Sequence, residues 1–239
     1  PGQVIASVLS KKKSAGATHV VIDLPYGEGA KVESLHEARE MAEDFTRVGA
    51  NLGMEIDCAI TRGEQPIGRG IGPVLEARDV LDVLSGDGPA DLRSKSVRLA
   101  QILLDAAGVD ETASGLVERG AAESKFREII DAQNGDPDVS REDLSPGRHQ
   151  ETVYADRDGV VTHVDNKLVN ELARRAGAPK DHGAGVYLHC RARDELTQGD
   201  PLLTLYAEKR EKLDQAQSFW AEKAPVRVHE SGEVVIEQW

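Results

Sequence analysis

Ser7 and Lys11 stand four residues apart in the run Val4-Ile-Ala-Ser7-Val-Leu-Ser-Lys11-Lys12-Lys13. On a helix they lie one turn above each other and can grip one ligand together. A hydroxyl beside an ammonium can hydrogen-bond ring nitrogens and carbonyls, and can stabilise negative charge on a departing group. A second ammonium, Lys31, closes the glycine loop Gly27-Glu-Gly29-Ala-Lys31. Each feature also has a bland explanation. Lysines at a helix C-terminus offset the macrodipole, and a lone G-x-G is simply a tight turn. Lys31, however, comes just before the helix N-cap Ser34, where a cation is mildly disfavoured. A residue placed against its local preference is a hint of function.

The elements that must hold these side chains follow from pattern. Gln3 to Lys13 reads as a helix with Val4, Val8 and Leu9 apolar and Gly16 as its stop. Thr18 to Leu24 is a β-branched run bounded by Pro25 and Gly27, hence a buried strand. Ser34-Leu-His-Glu37 has capping-box spacing, and Leu35, Ala38, Met41, Ala42, Phe45, Val48 and Leu52 follow at helical intervals. Met54 to Ile60 is a second apolar strand. Strand, helix and strand at this spacing predict a parallel βαβ unit with a right-handed crossover. Strand, glycine turn and helix start together form the kind of concave rim where open α/β sheets bind small molecules.

Thr61 to Pro73 is a glycine-rich connection, and helices are expected at Val74 to Leu84, Asp91 to Ala107 and Asp110 to Asn134 with an interruption near Gly120. The first of these segments carries Gln65-Pro66-Ile-Gly68-Arg-Gly70-Ile-Gly72-Pro, whose glycines serve close helix–strand approach. Asn134 to Gln150 is the best boundary. Beyond it the pattern becomes α+β. A hairpin is expected to turn at Asp158-Gly159 within Glu151 to Val164, then a helix at Lys167 to Ala176. Strands are expected at Gly185 to Ala192, Pro201 to Glu208 and Val226 to Glu237, with a helix at Arg210 to Ala224. The fold class is therefore α/β, a mostly parallel sheet with flanking helices, followed by a smaller α+β domain.

Composition narrows the function classes. The 239 residues include 29 basic and 42 acidic ones, a net charge of −13. Nucleic acid and anionic membrane would be repelled, so neither is an expected partner. Such a surface suits a salty cytosol, where screening removes the self-repulsion. No apolar run approaches the roughly 20 residues of a membrane span, and a cytoplasmic location is expected. Cys58 and Cys190 are too few for a disulfide framework, and Cys58 in its apolar run reads as a small buried hydrophobe. The seven histidines show no ligand spacing, so no metal site is expected. Serine hydrolase chemistry lacks its G-x-S-x-G.

The set of motifs resembles the thymidine phosphorylase and AMP phosphorylase family, from Val4 to about Arg227. There an A-S-x-L-S-K-K helix precedes a D-x-x-x-G-x-G-A loop and a Q-P-x-G segment. The resemblance implies that Ser7 and Lys11 contact the nucleobase edge. Lys31 and Pro73 match the family's archaeal nucleotide enzymes rather than its nucleoside enzymes, and a cation at Lys31 would suit the extra phosphate of a nucleotide. Asp23 in this motif is expected to hold the loop rather than to do chemistry. The implied reaction is phosphorolysis of a nucleoside 5′-monophosphate to free base and ribose 1,5-bisphosphate, with inorganic phosphate as co-substrate and no cofactor. The family's phosphate loop is not found, so the chain is expected to be an incomplete C-terminal part. On that reading it has no catalytic residue of its own, the proton donor lies upstream of Pro1, and it is inactive alone. Residues 1–13 would belong to a small helical domain and would pack sparsely here. Residues 14–148 would form the α/β domain, and 149–239 the C-terminal domain. Homo-oligomerisation of the full-length protein is also implied. Two alternatives stay open: a thymidine or pyrimidine nucleoside phosphorylase, and a non-catalytic binding or assembly domain.

Overall fold

The structure is a computed structural model that describes residues 2–230. In chain order the elements are α1 (Gly2–Ser14), β1 (His19–Tyr26), α2 (Leu35–Asn51), β2 (Glu55–Arg62), β3 (Gly70–Ile71), α3 (Pro73–Ser85), α4 (Ala90–Ala106), α5 (Ala113–Glu118) and α6 (Ala121–Ala132). They continue with β4 (His149–Tyr154), β5 (Gly159–Val164), α7 (Asn166–Ala176), β6 (Gly185–Leu188), β7 (Glu195–Leu196), β8 (Pro201–Ala207), α8 (Arg210–Lys223) and β9 (Val226–His229). The chain divides into two compact units. One comprises residues 2–64 and Ala90–Phe126; the other comprises Gln65–Pro89 and residues 127–230.

The first unit is the βαβ unit that the sequence pattern predicts. β1 and β2 run parallel, with His19 opposite Glu55 and Tyr26 opposite Arg62. Strand alternation sends Val20, Ile22 and Leu24 to one face, where Ile5 and Leu9 of α1 and Phe45 of α2 complete a buried core with Met54 and Ile56. The helix α2 starts where expected: Ser34 Oγ accepts from Glu37 N at 3.1 Å, and Glu37 Oε2 accepts from Ser34 N at 3.3 Å. Among the described residues the parallel sheet stops at these two strands. The expected larger parallel sheet is not formed, because the chain leaving β2 enters an antiparallel sheet of the second unit through β3. α4 lies on β1 and α5, yet none of its residues is buried, and Leu103, expected inward, is 44% exposed. α1 is anchored more firmly than expected. Val4 and Val8 are half-buried, but Ile5 and Leu9 are buried among the strand residues.

The second unit holds two antiparallel sheets, ordered β3-β6-β8-β4 and β7-β5-β9. α7 and α8 pack together, and Val169, Leu172, Leu203, Leu205 and Leu213 are fully buried in the shared core. The hairpin expected at Asp158-Gly159 does not form. β4 pairs with β8, whereas β5 pairs with β7 and β9. Gly159 is needed for another reason: a Cβ there would meet His229 O at 2.2 Å, so glycine permits β5 and β9 to approach. The strand expected over Gly185 to Ala192 is shorter, ending at Leu188, where the chain turns to build the contacts described below. The strand expected to Glu237 is β9 as far as His229; residues 231–239 lie outside the described residues.

Candidate functional site

Ser7 and Lys11 lie on the exposed side of α1, one turn apart, while Ile5 and Leu9 line its buried side. Their polar groups are not spent within the protein. Ser10 Oγ donates to the backbone oxygen of Ser7 at 3.3 Å, but neither the Ser7 hydroxyl nor the Lys11 ammonium has a side-chain partner among the described residues. The helix ends at Ser14 and the chain turns at Gly16, whose φ of 78° lets Gly16 N and Ala17 N satisfy the carbonyls of Lys13 and Lys12 at 3.0 and 3.1 Å. Lys11, Lys12 and Lys13 thus also sit where the helix dipole favours cations.

Lys31 is exposed in the loop at the carboxyl end of β1. The loop is closed by Gly27 N donating to Val32 O and Ala30 N donating to Gly27 O, both at 3.0 Å, over a bridge between Tyr26 and Val32. Gly27 has a φ of 134° and faces Glu64, where a Cβ would lie 2.5 Å from the Glu64 side chain. The turn therefore needs glycine on two counts. Lys31 forms no ion pair among the described residues, although Glu28 and Glu33 are sequence neighbours in a chain of 42 acidic residues. No hydrogen bond or ion pair joins it to Ser7 or Lys11 among the described residues. All three side chains are exposed and unpartnered, and all three belong to the first unit.

Asp23 is committed to structure. Its Oδ2 is 2.6 Å from Lys95 Nζ, and its Oδ1 accepts from Thr61 Oγ1 at 2.6 Å. Both carboxylate oxygens are thus engaged by neighbouring elements of the first unit. Lys95 was not singled out from sequence, because it lies 72 residues away and nothing local marks it.

Residues 160–225 match the family profile of the pyrimidine nucleoside phosphorylase C-terminal domain. The AMP phosphorylase of Natronomonas pharaonis is 57% identical over 244 residues, covering 100% of this chain and 49% of that protein. The AMP phosphorylases of Pyrococcus furiosus and Methanococcoides burtonii are 42% and 44% identical, covering 95% and 93% of this chain and 46% of each protein. The chain belongs to the pyrimidine nucleoside phosphorylase family. It spans about half the length of the curated relatives it matches, the half that carries the C-terminal domain.

The family's Q-P-x-G segment is, in this member, a structural anchor of the second unit. Asp79, only 4% exposed, accepts from the backbone N–H of Arg69 at 2.6 Å and of Gly70 at 2.8 Å. Arg69 Nη1 donates to His189 O at 2.6 Å, Arg191 donates to the carbonyls of Pro66 and Gly68, and Gln65 Oε1 accepts from Ala192 N at 3.0 Å. Gly72, with φ of 130°, presses against Ala184 O, where a Cβ would lie 2.3 Å away. The glycines serve close approach, as the pattern suggested. The arginine–carbonyl contacts span more than 100 residues and have no local signal.

Burial sets the titration of several groups nearby. It pushes the Cys190 thiol up to about 11, helped by the charge of Asp194, and Cys190 is fully buried. Cys58 is half-buried rather than buried, and its thiol is also raised, mainly by burial and further by Asp57. His189, whose ring nitrogen Nε2 is 2.8 Å from Thr204 Oγ1, is held toward its neutral form by burial and by Arg69. Two surface grooves, of about 490 and 620 Å³, are lined by residues of α7 and α8 and by residues around Thr18 and Met54 to Asp57. Neither includes Ser7, Lys11 or Lys31. The exposed face of α1 carries Ser7 and Lys11, and the loop after β1 carries Lys31. Among the described residues no helix is long and apolar enough to cross a membrane.

Proposed function

We propose that this chain forms the base- and ribose-phosphate-facing half of a phosphorylase of nucleoside 5′-monophosphates. The reaction is AMP and phosphate to adenine and ribose 1,5-bisphosphate, with no cofactor beyond the phosphate co-substrate. The observation that carries the reading is 57% identity to an AMP phosphorylase along the whole chain, with Ser7, Lys11 and Lys31 as donors that have no side-chain partner among the described residues. Ser7 and Lys11 hold the base edge and offset the negative charge that gathers on it as the glycosidic bond breaks. Lys31 meets the 5′-phosphate through a charge-assisted hydrogen bond.

The phosphate loop and the proton donor of the family belong to the other half of a polypeptide of the relatives' length, so this chain alone is inactive. The first unit, with α1 docked on its strands, binds the nucleotide, and the second unit has no chemistry of its own. The protein works as a homo-oligomer in the cytoplasm, at high salt, and binds neither nucleic acid nor membrane.

The test is phosphate-dependent base release, measured with a polypeptide of the relatives' full length. AMP, CMP, UMP, adenosine and thymidine serve as substrates in a high-salt buffer. Release from nucleotides well above release from nucleosides supports the reading. Preferential release from thymidine moves the nucleoside phosphorylase ahead. No release from any of them leaves only a binding or assembly role.

A further inference from the structure

We propose that Lys95 is a positioning residue for Lys31, acting through Asp23 and the end of β1; this rests on the role given above to Lys31. Asp23 points from the face of β1 opposite Val20, Ile22 and Leu24, toward α4. Its two carboxylate oxygens bind two different elements. Lys95 Nζ of α4 lies 2.6 Å from Oδ2, and Thr61 Oγ1 of β2 donates to Oδ1 at 2.6 Å. One carboxylate therefore ties α4, β1 and β2 together four residues before the loop begins at Gly27.

The far end of the loop is fixed by the Tyr26–Val32 bridge, by burial of Val32 and by Glu33 N donating to Glu37 Oε2 at 3.2 Å, so the Lys95–Asp23 pair acts on its β1 end. Lys31 is exposed and makes no ion pair among the described residues, so its place follows from the backbone that carries it. That backbone hangs on two loop hydrogen bonds at 3.0 Å and on Gly63 N donating to Tyr26 O at 2.8 Å, all of which begin at the end of β1 or β2. α4 contributes no fully buried residue, so apolar packing sets its place on β1 only weakly, and the Lys95–Asp23 pair supplies the directional contact. The two side chains are 22% and 26% exposed, which shields the pair from salt better than a surface ion pair would be. Their influence is on where Lys31 stands.

The experiment compares Lys95→Met, which keeps the aliphatic stem, with Lys95→Arg, which keeps the charge. Lys95→Met combined with Asp23→Asn removes the orphaned carboxylate charge should the single variant fold poorly. In a polypeptide of the relatives' full length, Lys95→Met should raise KM for AMP about tenfold with kcat changed less than about threefold, and leave the adenosine KM nearly unchanged. Lys95→Arg should return KM to within about threefold of the parent. A second reading needs no activity: in this chain, trypsin should cut after Lys31 about fivefold faster in Lys95→Met, because cleavage follows local opening.

Parent-like KM and parent-like cleavage in Lys95→Met overturn the proposal. Equal losses on AMP and adenosine overturn it as well, since Lys95 would then serve the fold in general. If the parent releases no adenine from AMP, the functional reading fails, while the trypsin comparison still decides whether Lys95 holds the loop.

Discussion

Replacing Lys31 with alanine tests the assignment that separates a nucleotide enzyme from a nucleoside enzyme. The side chain is exposed, and no partner is left unsatisfied by its removal, so folding stability should change by less than about 0.5 kcal/mol. On the role proposed for Lys31, what is lost is a charge-assisted hydrogen bond to the 5′-phosphate. Such bonds contribute about 1.5–3 kcal/mol, which corresponds to roughly one to two orders of magnitude in kcat/KM. The exposed position admits water and salt, so the loss should fall at the lower end, near tenfold. Initial rates of adenine release from AMP and from adenosine would be measured for parent and variant in a polypeptide of the relatives' full length, with a melting curve to check the fold. A loss confined to AMP is expected. An equal loss on both substrates would show that Lys31 serves the base or the fold. No loss on either would return Lys31 to an ordinary solvated lysine and would refute the reasoning.

Three further outcomes follow from contacts elsewhere. Asp79→Ala should destabilise the protein by about 2–4 kcal/mol in urea unfolding, because it leaves the buried N–H of Gly70 and the part-buried N–H of Arg69 without their acceptor; a midpoint close to the parent's would contradict this. Leu9→Ala should cost about 2–5 kcal/mol if α1 is truly docked on β1, since Leu9 is 0% exposed, and a cost under about 1 kcal/mol would mean the helix is held elsewhere. Cys190 has a folded-state pKa raised to about 11, so its contribution to stability is complete below the unfolded thiol value near 9 and is lost as pH rises between the two. The fall in melting temperature over that window should be shallower in Cys190→Ala, and identical slopes would argue against a buried thiol.

Much of the first unit was legible because its signals are local. The β-branched run of β1, the Ser34–Glu37 capping box and the helical spacing from Leu35 to Leu52 each fix one element without help from distant chain. Ser7 and Lys11 share an exposed face for the same reason: the period of a helix decides it. Long-range choices were not legible. Lys95 finds Asp23 across 72 residues, and Arg191 reaches the carbonyls of Pro66 and Gly68 across more than 120. The Asp158-Gly159 pair carries a turn signal, but the glycine there answers to β9, not to a hairpin. The chain after β2 likewise gave no sign that Gly70 and Ile71 would pair with Tyr187 and Val186. Patterns of two and 3.6 residues specify elements, while partners 72 to 125 residues away are set by how those elements pack.

The most direct test of the central claim is the identity of the sugar product. A polypeptide of the relatives' full length, incubated with AMP and inorganic phosphate, would be followed by phosphorus NMR. Phosphorolysis predicts that free phosphate is consumed one for one with adenine released, and that one ribose product carries phosphate on both C1 and C5. Adenine release that leaves ribose 5-phosphate and an unchanged phosphate signal would make the enzyme a hydrolase and contradict the account.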